Sequence, residues 1–121
     1  MRAMDYTSAQ TYLLKKSESQ ETFPFGSETA VYKIRHKMFA LLIWEKGIAH
    51  MNLKCDPDEA LALRDIFSAV TPGYHMNKKH WNTVILDGSI PRGELERMID
   101  NSYLLVIEAM PTTQRPTIID P

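Results

Sequence analysis

The sequence predicts a two-layer α+β domain: an antiparallel sheet with helices mainly on one face, in the order α-β-β-β-α-β-β-α. Three observations carry that prediction. Asp56-Pro57-Asp58-Glu59 is a helix-start signal, with an N-cap acid, a proline at the first helical position and a glutamate placed for a capping box. Ile48 to Lys54 alternates, with Ala49, Met51 and Leu53 on one side and His50, Asn52 and Lys54 on the other. After Pro91, residues Leu95, Met98, Ile99, Ser102, Leu105, Val106 and Ala109 fall on one helical stripe.

The remaining elements follow in order. Thr7-x-x-Gln10 reads as a capping box opening a helix over Ser8 to Lys16, with Tyr6, Ala9 and Leu13 on one face. Ser17 to Gly26 reads as a loop, and the aromatics of Phe23-Pro24-Phe25-Gly26 are expected to plug a core edge. Ala30 to Ile34 alternates, and Lys37 to Trp44 is almost continuously apolar, which suits a central strand covered on both faces. Arg35-His36 has the length of a two-residue hairpin turn, although neither residue favours positive φ. Glu45-Lys46-Gly47 is a second turn. The helix at Asp56 runs to about Ser68, burying Ala60, Leu63 and Phe67, and Thr71-Pro72-Gly73 breaks it. Tyr74 to Met76 is read as a short strand and Trp81 to Leu86 as a better one, with Asp87-Gly88 turning the chain. Residues 1–111 are expected to form one domain and 112–121 a flexible C-terminal tail.

At 121 residues the chain has the length of one domain with one core. The single cysteine, Cys55, allows no internal disulfide, which fits a reducing cytoplasm. No apolar run reaches the roughly 20 residues of a membrane span. The balance of 14 basic and 15 acidic residues argues against tight nucleic-acid binding. The distribution is uneven, however. From Val31 to Lys54 the bases Lys33, Arg35, Lys37, Lys46 and Lys54 face one acid, Glu45. Alternation places Lys33, Arg35, His50, Asn52, Lys54, Trp81 and Thr83 on one sheet face, to be solvated or covered by a second copy.

The densest chemistry lies in Pro72 to Thr83, which holds two histidines, two lysines, two asparagines, a tyrosine and a tryptophan and no acid. Two readings of Lys78-Lys79-His80-Trp81 stand side by side. In one, the lysines contact phosphate and an exposed Trp81 stacks on a base. In the other, Trp81 is half-buried core, the lysines are a solvated turn, and Asn77 and Asn82 fix the loop through hydrogen bonds to backbone. Lys33, Arg35, His36 and Lys37 around the first hairpin suit phosphate contact or the blocking of edge pairing. His75, His80 and His50 are too loosely spaced to predict a metal site. Cys55 and Tyr103 are expected to be structural. No nucleophile elbow, P-loop or dinucleotide fingerprint occurs, so no enzyme activity and no cofactor are expected.

The pieces Phe23-Pro24-Phe25-Gly26, Lys37-Met38-Phe39-Ala40, Leu53-Lys54-Cys55-Asp56-Pro57, Gly73-Tyr74-His75-Met76-Asn77-Lys78-Lys79-His80-Trp81-Asn82-Thr83-Val84 and Ser102-Tyr103-x-Leu105-Val106 appear in that order. Together they resemble the MmcQ/YjbR family of small bacterial proteins, from about Tyr6 to Pro111. Arg35-His36 departs from the pattern, in which a glycine is expected. The resemblance implies a fold like bacterial frataxin and the type III secretion chaperones. It also implies a DNA-binding protein with projecting hairpin wings. Iron handling like frataxin's fits poorly, because the first helix carries Lys15 and Lys16 beside few acids.

The first expectation is therefore a small cytoplasmic bacterial binding module with weak, sequence-tolerant affinity for DNA. Its contacts are Arg35, Lys37, Lys54, Lys78, Lys79, His80 and Trp81. The alternative is a protein-interaction or chaperone-like module using the free sheet face, as a monomer or weak homodimer. A third is an anion or small-molecule site around Tyr74 to Asn82.

Overall fold

The computed structural model describes residues 2–116. The elements are α1 (Tyr6–Lys15), β1 (Gln20–Thr22), β2 (Thr29–Ile34), β3 (Lys37–Glu45), β4 (Ile48–Lys54), α2 (Pro57–Ile66), β5 (Val70–Pro72), β6 (Trp81–Ile85), α3 (Arg92–Glu108) and a short 3-10 turn, Thr112–Gln114. The strands form one antiparallel sheet in the order β1-β2-β3-β4-β6-β5. The predicted α+β class holds, with two differences at the sheet edges. The expected loop before Phe23 contains β1, and the residues that break α2 are themselves β5. Both edge strands are three residues long, too short to show a period.

Local signals explain most boundaries. Helix α1 starts two residues earlier than Thr7-x-x-Gln10 suggested: Asp5 is the N-cap and completes a capping box with Ser8. The bond from the Ser8 N–H holds the Asp5 carboxyl below the usual carboxylate range. At α2 the Asp56 carboxylate accepts from the Asp58 and Glu59 N–H groups, and Pro57 occupies the first turn. Glu59 does not close the expected box but turns to Arg97, 2.7 Å away. Arg35 and His36 form the two-residue turn at φ 49° and 69°, the positive φ pair of a type I′ turn made without glycine. Tyr74 to Met76 is a turn rather than a strand, with His75 at φ 59°. Residues 112–116 of the expected tail carry the 3-10 turn, and Arg115 donates to the Met110 and Glu108 carbonyls. Residues 117–121 lie outside the described residues.

The core lies between the sheet and the helices. Tyr32, Ile34, Phe39, Leu42, Met51 and Val84 meet Leu13 of α1, Leu63 of α2 and Met98, Ile99 and Val106 of α3. β3 reads as a continuous apolar run because both its faces are covered, Leu41 and Ile43 by the small far-face core, and because of a bulge. Tyr32 pairs with Ala40 but Lys33 pairs with Met38, so Phe39 is the extra residue. Phe39 and Ala40 are both fully buried, in the helix-side core, instead of alternating. The fully buried Ser102 hydroxyl bridges the strands there, donating to the Phe39 carbonyl (2.6 Å) and accepting from the Lys54 N–H (2.9 Å). Tyr103 and Ile107 take the buried positions on α3 that Leu105 and Ala109 were expected to fill.

Candidate functional site

Antiparallel register gathers one end of the sheet. The Arg35-His36 turn, the C-terminal end of β4 and the N-terminal end of β6 all lie there, because Ala40 pairs with Leu53 and Lys54 with Trp81. Pro72 pairs with Asn82, so the 73–80 loop closes the same end. Gln20 pairs with Lys33, which brings the link from α1 to β1 alongside. Six of the seven face residues, Lys33, His50, Asn52, Lys54, Trp81 and Thr83, share the sheet face opposite the helices. Arg35 sits in the turn instead.

The 73–80 loop folds back over that face and is tied down along its length. The Gly73 N–H donates to the Trp81 carbonyl (2.9 Å), and the Tyr74 N–H to the Thr83 hydroxyl (2.8 Å). The Thr83 hydroxyl donates to Asn52 Oδ1 (2.6 Å). Asn52, only 1% exposed, donates in turn to the Tyr74 carbonyl (3.4 Å). Asn77 Oδ1 accepts from the Lys79 N–H (2.9 Å). Arg64 of α2, which carries no sequence signal, reaches in from the other layer. Its Nε donates to Asn82 Oδ1 (2.7 Å) and its Nη2 to the Lys78 and Trp81 carbonyls. Asn82 Nδ2 completes the brace on the Ala60 carbonyl (3.3 Å).

This geometry corrects one expected contact. Trp81 is 9% exposed and packs with Val31 and Leu41 against Met38, Ile43 and Met76. It anchors a second, small core and presents no ring for base stacking. The Lys78 ammonium donates to the Gly73 carbonyl (3.1 Å), inside its own loop. The reading in which Trp81 is core and the asparagines fix the loop is the one realised. The sheet face is likewise not free at its centre, since Val31, Leu41, Asn52 and Thr83 are all buried.

The other predicted residues sit as follows. Lys37 is exposed beside the hairpin turn, Lys54 is half-buried on the far face, and Lys79 is exposed. His80 is half-buried, and its carbonyl accepts from the Cys55 N–H (2.8 Å). Arg35 pairs with Glu18 at 2.9 Å. Among the described residues, Lys33, Lys37, Lys54, Lys78 and Lys79 have no carboxylate partner within 4.0 Å. Arg92 and Arg97 are ion-paired within the helical layer, and Arg64 and Arg115 bind carbonyls. Arg35, Arg64, Arg92, Arg97 and Arg115 are thus engaged in bonds, whereas Lys33, Lys37, Lys54 and Lys79 at the basic end have no ion-pair partner among the described residues.

Other groups hold little chemistry. Burial pushes the Cys55 thiol up to about 11, so it is protonated at neutral pH. Tyr103 is core, its hydroxyl donating to the Ser17 carbonyl (2.7 Å). Among the described residues no group of three His, Cys, Asp or Glu side chains is placed to hold a metal. A groove of about 320 Å³ on the far face is lined by His50, Asn52, Tyr74 and Thr83 among others. Its Asn52 and Thr83 side chains already satisfy one another. No helix of the described residues is long and apolar enough to cross a membrane.

Comparison with known proteins places this arrangement. Residues 14–105 match the family model described as YjbR. The chain is 40% identical over 88 residues to the uncharacterised protein YbdF of Escherichia coli O157:H7, covering 73% of this chain and 72% of that one. It is 29% identical over 108 residues to the uncharacterised YjbR of Escherichia coli K12, covering 89% and 92%. A crystal structure of Deinococcus radiodurans DR2400, a DUF419 domain, superposes with a TM-score of 0.87 at 32% identity over 98% of this chain and 94% of that one. A Pseudomonas syringae crystal structure follows with a TM-score of 0.75 at 30% identity, covering 85% and 99%. With the family model spanning the whole sheet, all of α2 and most of α3, the chain belongs to the YjbR family.

Proposed function

We propose that this chain is a small, non-catalytic cytoplasmic binding module that holds nucleic acid weakly and without sequence preference, through the basic end of its sheet. One observation carries the reading. Register collects Lys33, Lys37, Lys54 and Lys79 at that end without a carboxylate partner among the described residues, on a scaffold kept rigid by the Arg64 brace. Free lysines beside a rigid sheet neutralise phosphates and release counter-ions. With Trp81 buried, its ring adds no stacking, and phosphate contacts carry no sequence information, so affinity rests mainly on charge and is sequence-tolerant.

Fluorescence anisotropy with a short duplex tests this across a salt series. Expected is a Kd of about 10⁻⁵ M that weakens with salt, the logarithmic slope falling by about one for each of Lys54→Ala and Lys79→Ala. Trp81 variants should add nothing beyond their effect on folding. Absence of binding at low salt, or a slope indifferent to both lysines, sinks the reading.

A protein-interaction or chaperone-like role is favoured by a different observation. Phe23, Phe25 and Trp44 stand exposed at the opposite end of the sheet, where the Trp44 N–H meets the Glu28 carbonyl (2.9 Å). Light scattering over a concentration series tests for a second copy there. A mass that stays monomeric counts against self-association.

A further inference from the structure

At the basic end, a surface hollow of about 410 Å³ is lined by Glu18, Ser19, Gln20, Arg35 and His36. Three of these residues have left-handed backbone: Glu18 at φ 61°, Arg35 at φ 49° and His36 at φ 69°. Glycine or asparagine fits such positions with less strain. A helix exit and a two-residue turn each demand positive φ, but neither demands a long charged or ring side chain. The chain nevertheless carries Glu, Arg and His at all three, and they converge on one hollow. The Ser19 hydroxyl adds a buried oxygen that finds no hydrogen-bond partner among the described residues. Residual strain and an orphaned polar group in one place mark a site whose chemistry is incomplete in the free protein.

We infer that this hollow is an oxyanion site for a phosphomonoester, occupied in the free protein by the carboxylate of Glu18. Arg35 Nη2 holds Glu18 Oε1 at 2.9 Å, with both side chains nearly half exposed. An ion pair so exposed is weak and exchangeable. A phosphomonoester brings more charge than one carboxylate and three terminal oxygens. It matches the planar guanidinium fork, with the imidazole of His36, the amide of Gln20 and the Ser19 hydroxyl as further donors. Glu18 is then an internal competitor that keeps the site selective for strong oxyanions. The phosphate belongs either to a free small molecule or to the end of a nucleic-acid strand. The site stands on its own residues and is independent of duplex binding by the lysines.

The test titrates inorganic phosphate into the full chain at constant ionic strength, read by the backbone amide signals of residues 18–20 and 35–36. Expected are shifts confined to those residues, affinity raised about fivefold in Glu18→Gln, weakened in Arg35→Lys and lost in Arg35→Ala, with the rest of the spectrum unchanged. Shifts spread over Lys54 and Lys79 instead, or an affinity indifferent to Glu18→Gln and Arg35→Lys, overturn the assignment. Tighter binding of a 5′-phosphorylated strand than its 5′-hydroxyl twin, lost in Arg35→Ala, identifies a strand end as the source. Equal binding of the two strands identifies a small phosphate. If duplex binding disappears in a Lys54→Ala, Lys79→Ala double variant while phosphate still shifts residues 35–36, the two sites are separate.

Discussion

The loops at residues 23–28 and 73–80 sit at opposite ends of the same sheet and invert what their compositions suggest. The first is apolar and aromatic, yet Phe25 is 74% exposed and Phe23 45%. The second is polar and basic, yet it is pinned by Arg64, Asn82, Asn52 and Thr83 and seals a small core with Met76 and Trp81. Side-chain polarity therefore says little about whether a loop is anchored. Anchoring depends on whether its backbone groups find partners on other elements, and for 73–80 those partners come from α2, β4 and β6.

The sharpest way to break this contrast is to remove both anchors and compare. Trp81→Ala should cost about 3–5 kcal/mol in urea unfolding, as a large core truncation does. Phe25→Ala should stay within about 0.5 kcal/mol, as surface changes do. Similar costs for the two would show that the aromatic loop is packed after all. Arg64→Ala should come next, at about 1–3 kcal/mol, because Asn82 is left buried with Oδ1 unpaired. Amide exchange should quicken across 77–81 and not across 23–28. Ser102→Ala belongs to the same range, since the Phe39 carbonyl and the Lys54 N–H lose their shared bridge.

A gentler probe uses Cys55, whose N–H is held by the last residue of the polar loop. Burial raises its thiol from 9.0 to about 11. At pH 8 the thiolate fraction is then about 100-fold below that of the unfolded chain, and alkylation should slow accordingly. The sign for stability follows. The raised value favours the folded state fully below pH 9, and the gain is lost as pH rises from about 9 towards 11. Fast alkylation at pH 8 in the native protein would mean that the 73–80 loop lifts away from β4. Phe25→Ala should leave that rate unchanged, and Arg64→Ala should raise it.

Legibility in the sequence follows the range of the interaction. Helix α2 and strand β4 were readable because an N-cap, a first-turn proline and a two-residue period are short-range causes. The β3 bulge was not, because it depends on a cross-strand register that no local pattern encodes. The edge strands β1 and β5 were missed for want of length. Among the site residues, the basic character of Lys37, Lys54 and Lys79 was legible. The fate of Trp81, Lys78 and Arg35 was not, since each finds a partner on another element or across its own loop.

The sequence alone thus determined the fold class, most elements, the layer that carries the core and which residues bear charge, because hydrophobic period and capping act within one or two turns of chain. Only the tertiary structure decided which of those charges remain free. It buried Trp81, set Arg64 as a brace, matched Arg35 to Glu18 and left Lys33, Lys37, Lys54 and Lys79 without a carboxylate partner among the described residues at one end of the sheet. Those outcomes depend on contacts between residues far apart in the chain, whose meeting is fixed by strand order and register rather than by any local signal.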